Sequence, residues 1–299
     1  MYRDSFFLDE ILYKYILSHL VDGCSAWLVD TAYALTDIYD HISQPDKAVT
    51  IAEGILDMKS LAKSNMDFKT LRMMVGCAYS IAIAKEKEIK KKEENLEKAK
   101  RVFDKVRTRI DVWDYSEEKE KHYLEGLYES DLGAYYLNLG ILEKEKGNIT
   151  SREEAINRAL EHHRKGERIR KDLLDHYVSI VDPDYEDCRR RYFQSKSNVA
   201  FSLFELKKYD EALSIHREVL DNCLSQDISN AMFSKRYIVG CLIELAETKG
   251  LSYEQMGELT CYIAECKNYY KDRNDEDRLE DILKIEERIN RLNTDSSKK

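Results

Sequence analysis

Arginine and histidine are the residues whose spacing could do chemistry in this chain. Arg158 and His163 are separated by four residues, and Arg170 and His176 by five. In a site built on such a pair, the guanidinium would stabilise a phosphate while the imidazole moves a proton. His162 stands next to His163, but neighbours on a helix point about 100° apart and do not easily share a metal ion. There is no HExxH pattern and no glycine-rich phosphate loop. Gly133, Gly140 and Gly147 recur every seven residues on helical sequence, as packing or capping glycines do. With 57 acidic residues, paired carboxylates arise by chance and point nowhere. No Ser/His/Asp or Cys/His set stands out. The residues therefore read as those of a chain that is not an enzyme and needs neither cofactor nor metal.

The elements around these residues read as helical almost throughout. The 299 residues include only 2 Pro and 11 Gly, too few turn formers for a β-rich chain of this length. Charged residues make up 35%, which suits long helices flanked by solvent. Apolar stripes at helical spacing run through Phe7, Ile11, Tyr15 and Leu20, then Trp27, Ala34, Ile38 and Ile42. Pro45 opens the next helix. Helices are expected over 67–90 and 93–112, with the Lys/Glu-rich bridge between them a solvated extension of both. A long helix over 116–146 stops at Gly147. Ser151 and Glu154 then form a capping-box pattern, as do Ser252 and Gln255 after Gly250. Asp182-Pro183 makes a further break. The seven cysteines form no CxxC pair, and Cys77, Cys241 and Cys261 read as buried small hydrophobes in a reducing compartment. No apolar run approaches the roughly 18–20 residues of a membrane span, and the N-terminus is not a signal peptide. The expected location is the cytoplasm. A net charge of −9 argues against general nucleic-acid binding.

One phrase occurs twice. Residues 136–166 and 197–220 each pair two amphipathic helices across a tight turn. The units align on the small residues Thr36, Gly76, Gly140, Ala200 and Gly240. A second-helix alanine follows at Ala48, Ala99, Ala159 and Ala212, and four residues later come Ala52, Phe103, His163 and His216. Small residues let helix backbones approach, and larger ones fill the groove between neighbours. His163 and His216 are thus expected to pack between helices. Leu139-Gly140, Ala159-Leu160, Val199-Ala200, Tyr209-Asp210-Glu211-Ala212-Leu213 and Val219 resemble the tetratricopeptide repeat, in the variety found in kinesin light chains and bacterial peptide-sensing regulators. The resemblance implies an all-α fold, a right-handed solenoid of stacked helical hairpins with irregular repeats. A single domain would span 1–293, with hairpins at 24–63, 66–112, 116–178, 184–224 and 228–270. Helices 5–20 and 275–293 would cap it, and 294–299 would be a disordered tail.

The resemblance also implies a protein- or peptide-binding scaffold whose first helices line a concave groove. Asn138 and Asn198 stand two residues before the small anchors, where an amide grips a peptide backbone through donor and acceptor. Phe201 and Tyr237 are groove positions, as are Tyr33, Asp37, Met73, Cys77, Leu137, Ile141, Gln194, Ser197 and Cys241. Arg190 and Lys196 belong to a basic group, with Arg189, Arg191, Lys235 and Arg236, suited to an acidic or carboxylate group on the partner. A second reading is a regulatory sensor controlling an effector partner. A third rests on the Arg158…His163 and Arg170…His176 spacings, which are similar to those of some small all-helical ribonucleases.

Overall fold

The computed structural model describes Lys47, Val49, Thr50 and residues 63–84, 86–112, 118–223 and 227–296. The stripes expected before Pro45, Pro45 itself, the anchors Thr36, Ala48 and Ala52, and the expected groove positions Tyr33 and Asp37 lie outside them. All the described elements are helical, and no strand occurs among the described residues. Contacts divide the chain into two compact units, one up to Leu173 and one from Leu174 onward.

The first unit contains α1 (Lys63–Ala82), α2 (Ile89–Val112), α3 (Glu118–Glu145) and α4 (Ile149–Asp172), and a short π-helical turn follows at Leu173–Tyr177. Helix α1 packs on α2 and α3, α2 on α3, and α3 on α4. The core is the meeting of their apolar stripes, with Leu71, Met74, Val75, Phe103 and Leu124 all shut from solvent. Phe103 sits edge-on to Tyr128 and Tyr135, with ring centroids 5.8 and 6.1 Å away. Such edge contacts match the ring quadrupoles.

The expected helix over 67–90 is shorter, because α1 stops at Ala82. The Lys/Glu-rich bridge does not extend both helices. Residues 89–100 belong to α2, where Leu96 and Ala99 are buried. Bringing those two residues into the core requires the chain to reverse direction before them.

The second unit contains α5 (Tyr185–Glu205), α6 (Tyr209–Asn222), α7 (Ile228–Lys249), α8 (Tyr253–Asp272) and α9 (Glu276–Ser296). Successive helices pack on one another, and α7 also touches α5 and α9. Helix α9 runs to Ser296. Ala200 and Ala212 are wholly buried. Cys261 is exposed, contrary to its reading as a buried hydrophobe. The buried stripe of α8 runs through Leu259, Ile263, Cys266 and Tyr270, and position 261 falls off it.

One turn recurs. After α3, Asn148 N–H donates to Glu143 O at 2.8 Å and Gly147 N–H to Lys144 O at 3.1 Å. After α5, Lys208 donates to Leu203 O and Lys207 to Phe204 O, both at 2.9 Å. After α8, Asp275 donates to Tyr270 O and Asn274 to Lys271 O. In each, one residue takes positive φ: Gly147 at 80°, Lys207 at 61° and Asn274 at 53°. This paired bonding satisfies carbonyls that a helix end leaves open. After Gly147 the chain enters α4 at once, so Ser151 lies inside its first turn. The expected capping box at Ser151 and Glu154 is therefore not the helix start, and Asn148 is the N-cap. The box at Ser252 and Gln255 is complete, with both reciprocal bonds made at 3.0 and 3.1 Å.

Candidate functional site

Asn138 lies on α3, half-buried, and its Nδ2 donates to Ala134 O at 2.9 Å. It lines a cleft of ≈ 260 Å³ between α3 and the turn joining α1 to α2. Asn95 of α2 lines the same cleft, so two side-chain amides share it. Ile83 and Ile141 border it with 40% and 37% of their surfaces exposed. Lys92, also in the lining, holds both carboxylate oxygens of Glu145 at 2.6 Å. The cleft thus offers apolar contact, unspent amide hydrogen-bonding capacity and a charge already paired.

Asn198 and the other expected binding residues belong to the second unit. The half-buried Asn198 makes no side-chain hydrogen bond among the described residues, and its carbonyl accepts from Ser202 Oγ at 3.1 Å. Phe201 packs against Tyr237, centroids 4.8 Å apart, and Phe233 stands 4.7 Å from Tyr237. His216 stacks on Tyr237 at 5.4 Å. Burial pushes the Tyr237 hydroxyl up to about 12. Four expected groove positions, Cys77, Leu137, Ser197 and Cys241, are core residues instead. They sit on the buried stripes of their helices and so cannot face a groove.

The basic group is largely neutralised. Arg190 and Arg191 bind Asp187, Lys196 binds Glu218, Lys235 binds Glu265, and Arg236 binds Asp281 at 2.6 Å. Arg189 donates to Asn222 O at 3.0 Å. Burial alone would raise the Asp187 carboxyl, but the bonds from Arg191 and Arg190 bring it below its ordinary value. Charges matched in this way leave little field for a distant acid.

His163 is 1% exposed and lies against Gly133, and His216 is wholly buried. Arg170 is 6% exposed and packs on Gly126. His162 instead turns to a residue the sequence did not single out. Its Nδ1 bonds Glu129 Oε2 at 2.7 Å, and Lys165 Nζ donates to Glu129 Oε1 at 2.6 Å. Burial would raise the Glu129 carboxyl, but these hydrogen bonds hold it below its ordinary value. The available signal was an acid set among packing residues, Gly126, Tyr128, Ser130 and Gly133. No group of three or more His, Cys, Asp or Glu that could hold a metal ion occurs among the described residues.

No protein-family model matches the chain. No curated protein matches it significantly. No helix among the described residues is long and apolar enough to cross a membrane.

Proposed function

We propose that this chain is a protein- or peptide-binding scaffold, built as a right-handed solenoid of tetratricopeptide-like hairpins. Support for the stacking comes from the helix contacts. The first helix of one hairpin touches the first helix of the next, as α1 does α3 and α5 does α7. A reducing, cytoplasmic setting belongs to the same proposal, because Cys77, Cys188, Cys241 and Cys266 serve as small buried packing residues.

One observation carries the binding reading. Asn138 and Asn95 line a cleft that also exposes Ile83 and Ile141. An extended segment entering it would bury peptide groups, and each buried donor or acceptor must find a partner. Two amides supply both kinds of partner, while the isoleucines supply apolar contact. The test is selection of peptides from a displayed library on the purified chain, followed by titration against Asn138→Ala, Asn95→Ala and Ile141→Glu. Each amide loss should weaken binding by about 1–3 kcal/mol. Selected peptides that bind all three variants like wild type would move the binding surface elsewhere.

A further inference from the structure

Helix α4 is basic in an acidic chain. It carries seven Lys and Arg against five Asp and Glu, while the whole chain has a net charge of −9. Arg158, His162 and Lys165 fall at i, i+4 and i+7, one stripe of the helix. Behind the stripe lies a single buried carboxylate, Glu129, whose side chain is 3% exposed. Glu129 already receives Lys165 and His162, and Arg107 of α2 stands 4.0 Å from it. Lys165 balances its charge, while Arg107 is ion-paired with Asp111 at 2.5 Å.

Two groups on that stripe face outward. Arg158 is exposed and makes no ion pair among the described residues, although Glu154 and Glu161 lie within a turn of it on the same helix. Its guanidinium stands 5.8 Å from the centre of the Tyr136 ring. The His162 imidazole is stacked on the same ring, at 5.2 Å and 4° from parallel. Glu129 takes the Nδ1 proton of His162, which fixes the tautomer and leaves Nε2 as the other ring nitrogen. Nε2 has no hydrogen-bond partner among the described residues, and 26% of the side chain is exposed. A planar cation and a fixed imidazole, one turn apart on α4, thus both lie against one phenol ring.

We propose that Arg158, His162 and Tyr136 form a binding site for a phosphate monoester. The guanidinium fork matches two phosphate oxygens, and a phosphate hydroxyl donates to Nε2, or an imidazolium N–H donates to a phosphate oxygen. Glu129 holds the ring from behind through Nδ1. This site is independent of the cleft at Asn138 and stands whether or not that cleft binds peptides.

The experiment titrates inorganic phosphate, O-phospho-L-serine and adenosine 5′-monophosphate separately into the full chain. Imidazole and guanidinium nitrogen resonances are followed by NMR. Saturable shifts at His162 and Arg158 are expected, with Arg158→Gln and His162→Gln each weakening affinity about tenfold. Lys196→Gln, whose charge is spent on Glu218, should bind like wild type. Equal affinity for the three probes supports a site for the phosphate alone, and tighter adenosine 5′-monophosphate supports one in which the base adds contact. Shifts that never saturate, shifts that miss both residues, or equal losses in all three variants overturn the proposal. The wild-type shifts alone decide the matter if a variant fails to fold.

Discussion

The hairpins α3–α4 and α5–α6 share one turn and close in different ways. In α3–α4 the helix faces meet through glycine. A Cβ on Gly133 would stand 2.5 Å from His163 Nε2, one on Gly166 2.7 Å from Ser130 Oγ, and one on Gly126 2.9 Å from Arg170 Cγ. Glu129, buried beside this interface, is hydrogen-bonded twice. In α5–α6 the small residues are Ala200 and Ala212, and rings of both helices pack on Phe233 and Tyr237 of α7. His216 there has neither ring nitrogen bonded among the described residues. It is held by stacking on Tyr237 and by the edge of Phe233. The same hairpin geometry thus accommodates two kinds of interior, one tight and polar, the other aromatic.

The largest effect should come from overfilling the tight interface. Gly133→Val places a branched side chain where the buried His163 ring already lies, and should cost about 3 kcal/mol or more. Ala200→Phe, in the aromatic hairpin, should cost about 1–3 kcal/mol because rings can repack around it. Chemical denaturation of both variants, with hydrogen exchange to locate the loss, checks the order. Equal losses would erase the distinction between the two interiors.

Acid should separate the hairpins next. Burial lowers His216 to about 3 from its ordinary 6.5. Between those values the unfolded chain binds a proton that the folded chain refuses. Stability from His216 is therefore full above about 6.5 and falls with pH down to about 3, by about 1.4 kcal/mol per pH unit. Glu129, lowered from its ordinary 4.5, weakens the fold only below that carboxylate range. His216→Phe should flatten the dependence between pH 6.5 and 4.5. An unchanged slope in denaturation across that interval would show that the ring is not shut from water.

The smallest effect concerns the shared turn. Gly147 takes its positive φ at no steric cost, whereas Lys207 does not. Lys207→Gly should raise stability by about 0.5–1 kcal/mol, measured as a shift in denaturation midpoint. Destabilisation would mean that Lys207 makes contacts worth more than its backbone strain.

These contrasts mark what the sequence could disclose. The seven-residue spacing of Gly133, Gly140 and Gly147 showed both the close approach and the stop, because helix periodicity and left-handed caps are local properties. The second capping box was equally plain, since Ser252 and Gln255 satisfy it between themselves. Ser151 and Glu154 imitate that pattern, but the turn closed by Gly147 starts α4 before them. Arg190 and Arg191 find Asp187 within one turn, but other members of the basic group looked open because their partners are remote. Lys196 finds Glu218 22 residues away, and Arg236 finds Asp281 45 residues away. The pairing of His162 with Glu129 spans 33 residues and was hidden for the same reason. Asn138 drew notice two residues before Gly140, but Asn95, which lines the same cleft, comes from a different helix and carried no such mark.

Binding at the Asn138 cleft is the central claim, and hydrogen–deuterium exchange with and without a selected peptide tests it most directly. The account predicts slowed exchange in residues 82–96 and 138–142, the segments that line the cleft. Protection confined to the second unit, with those segments unchanged, would contradict it.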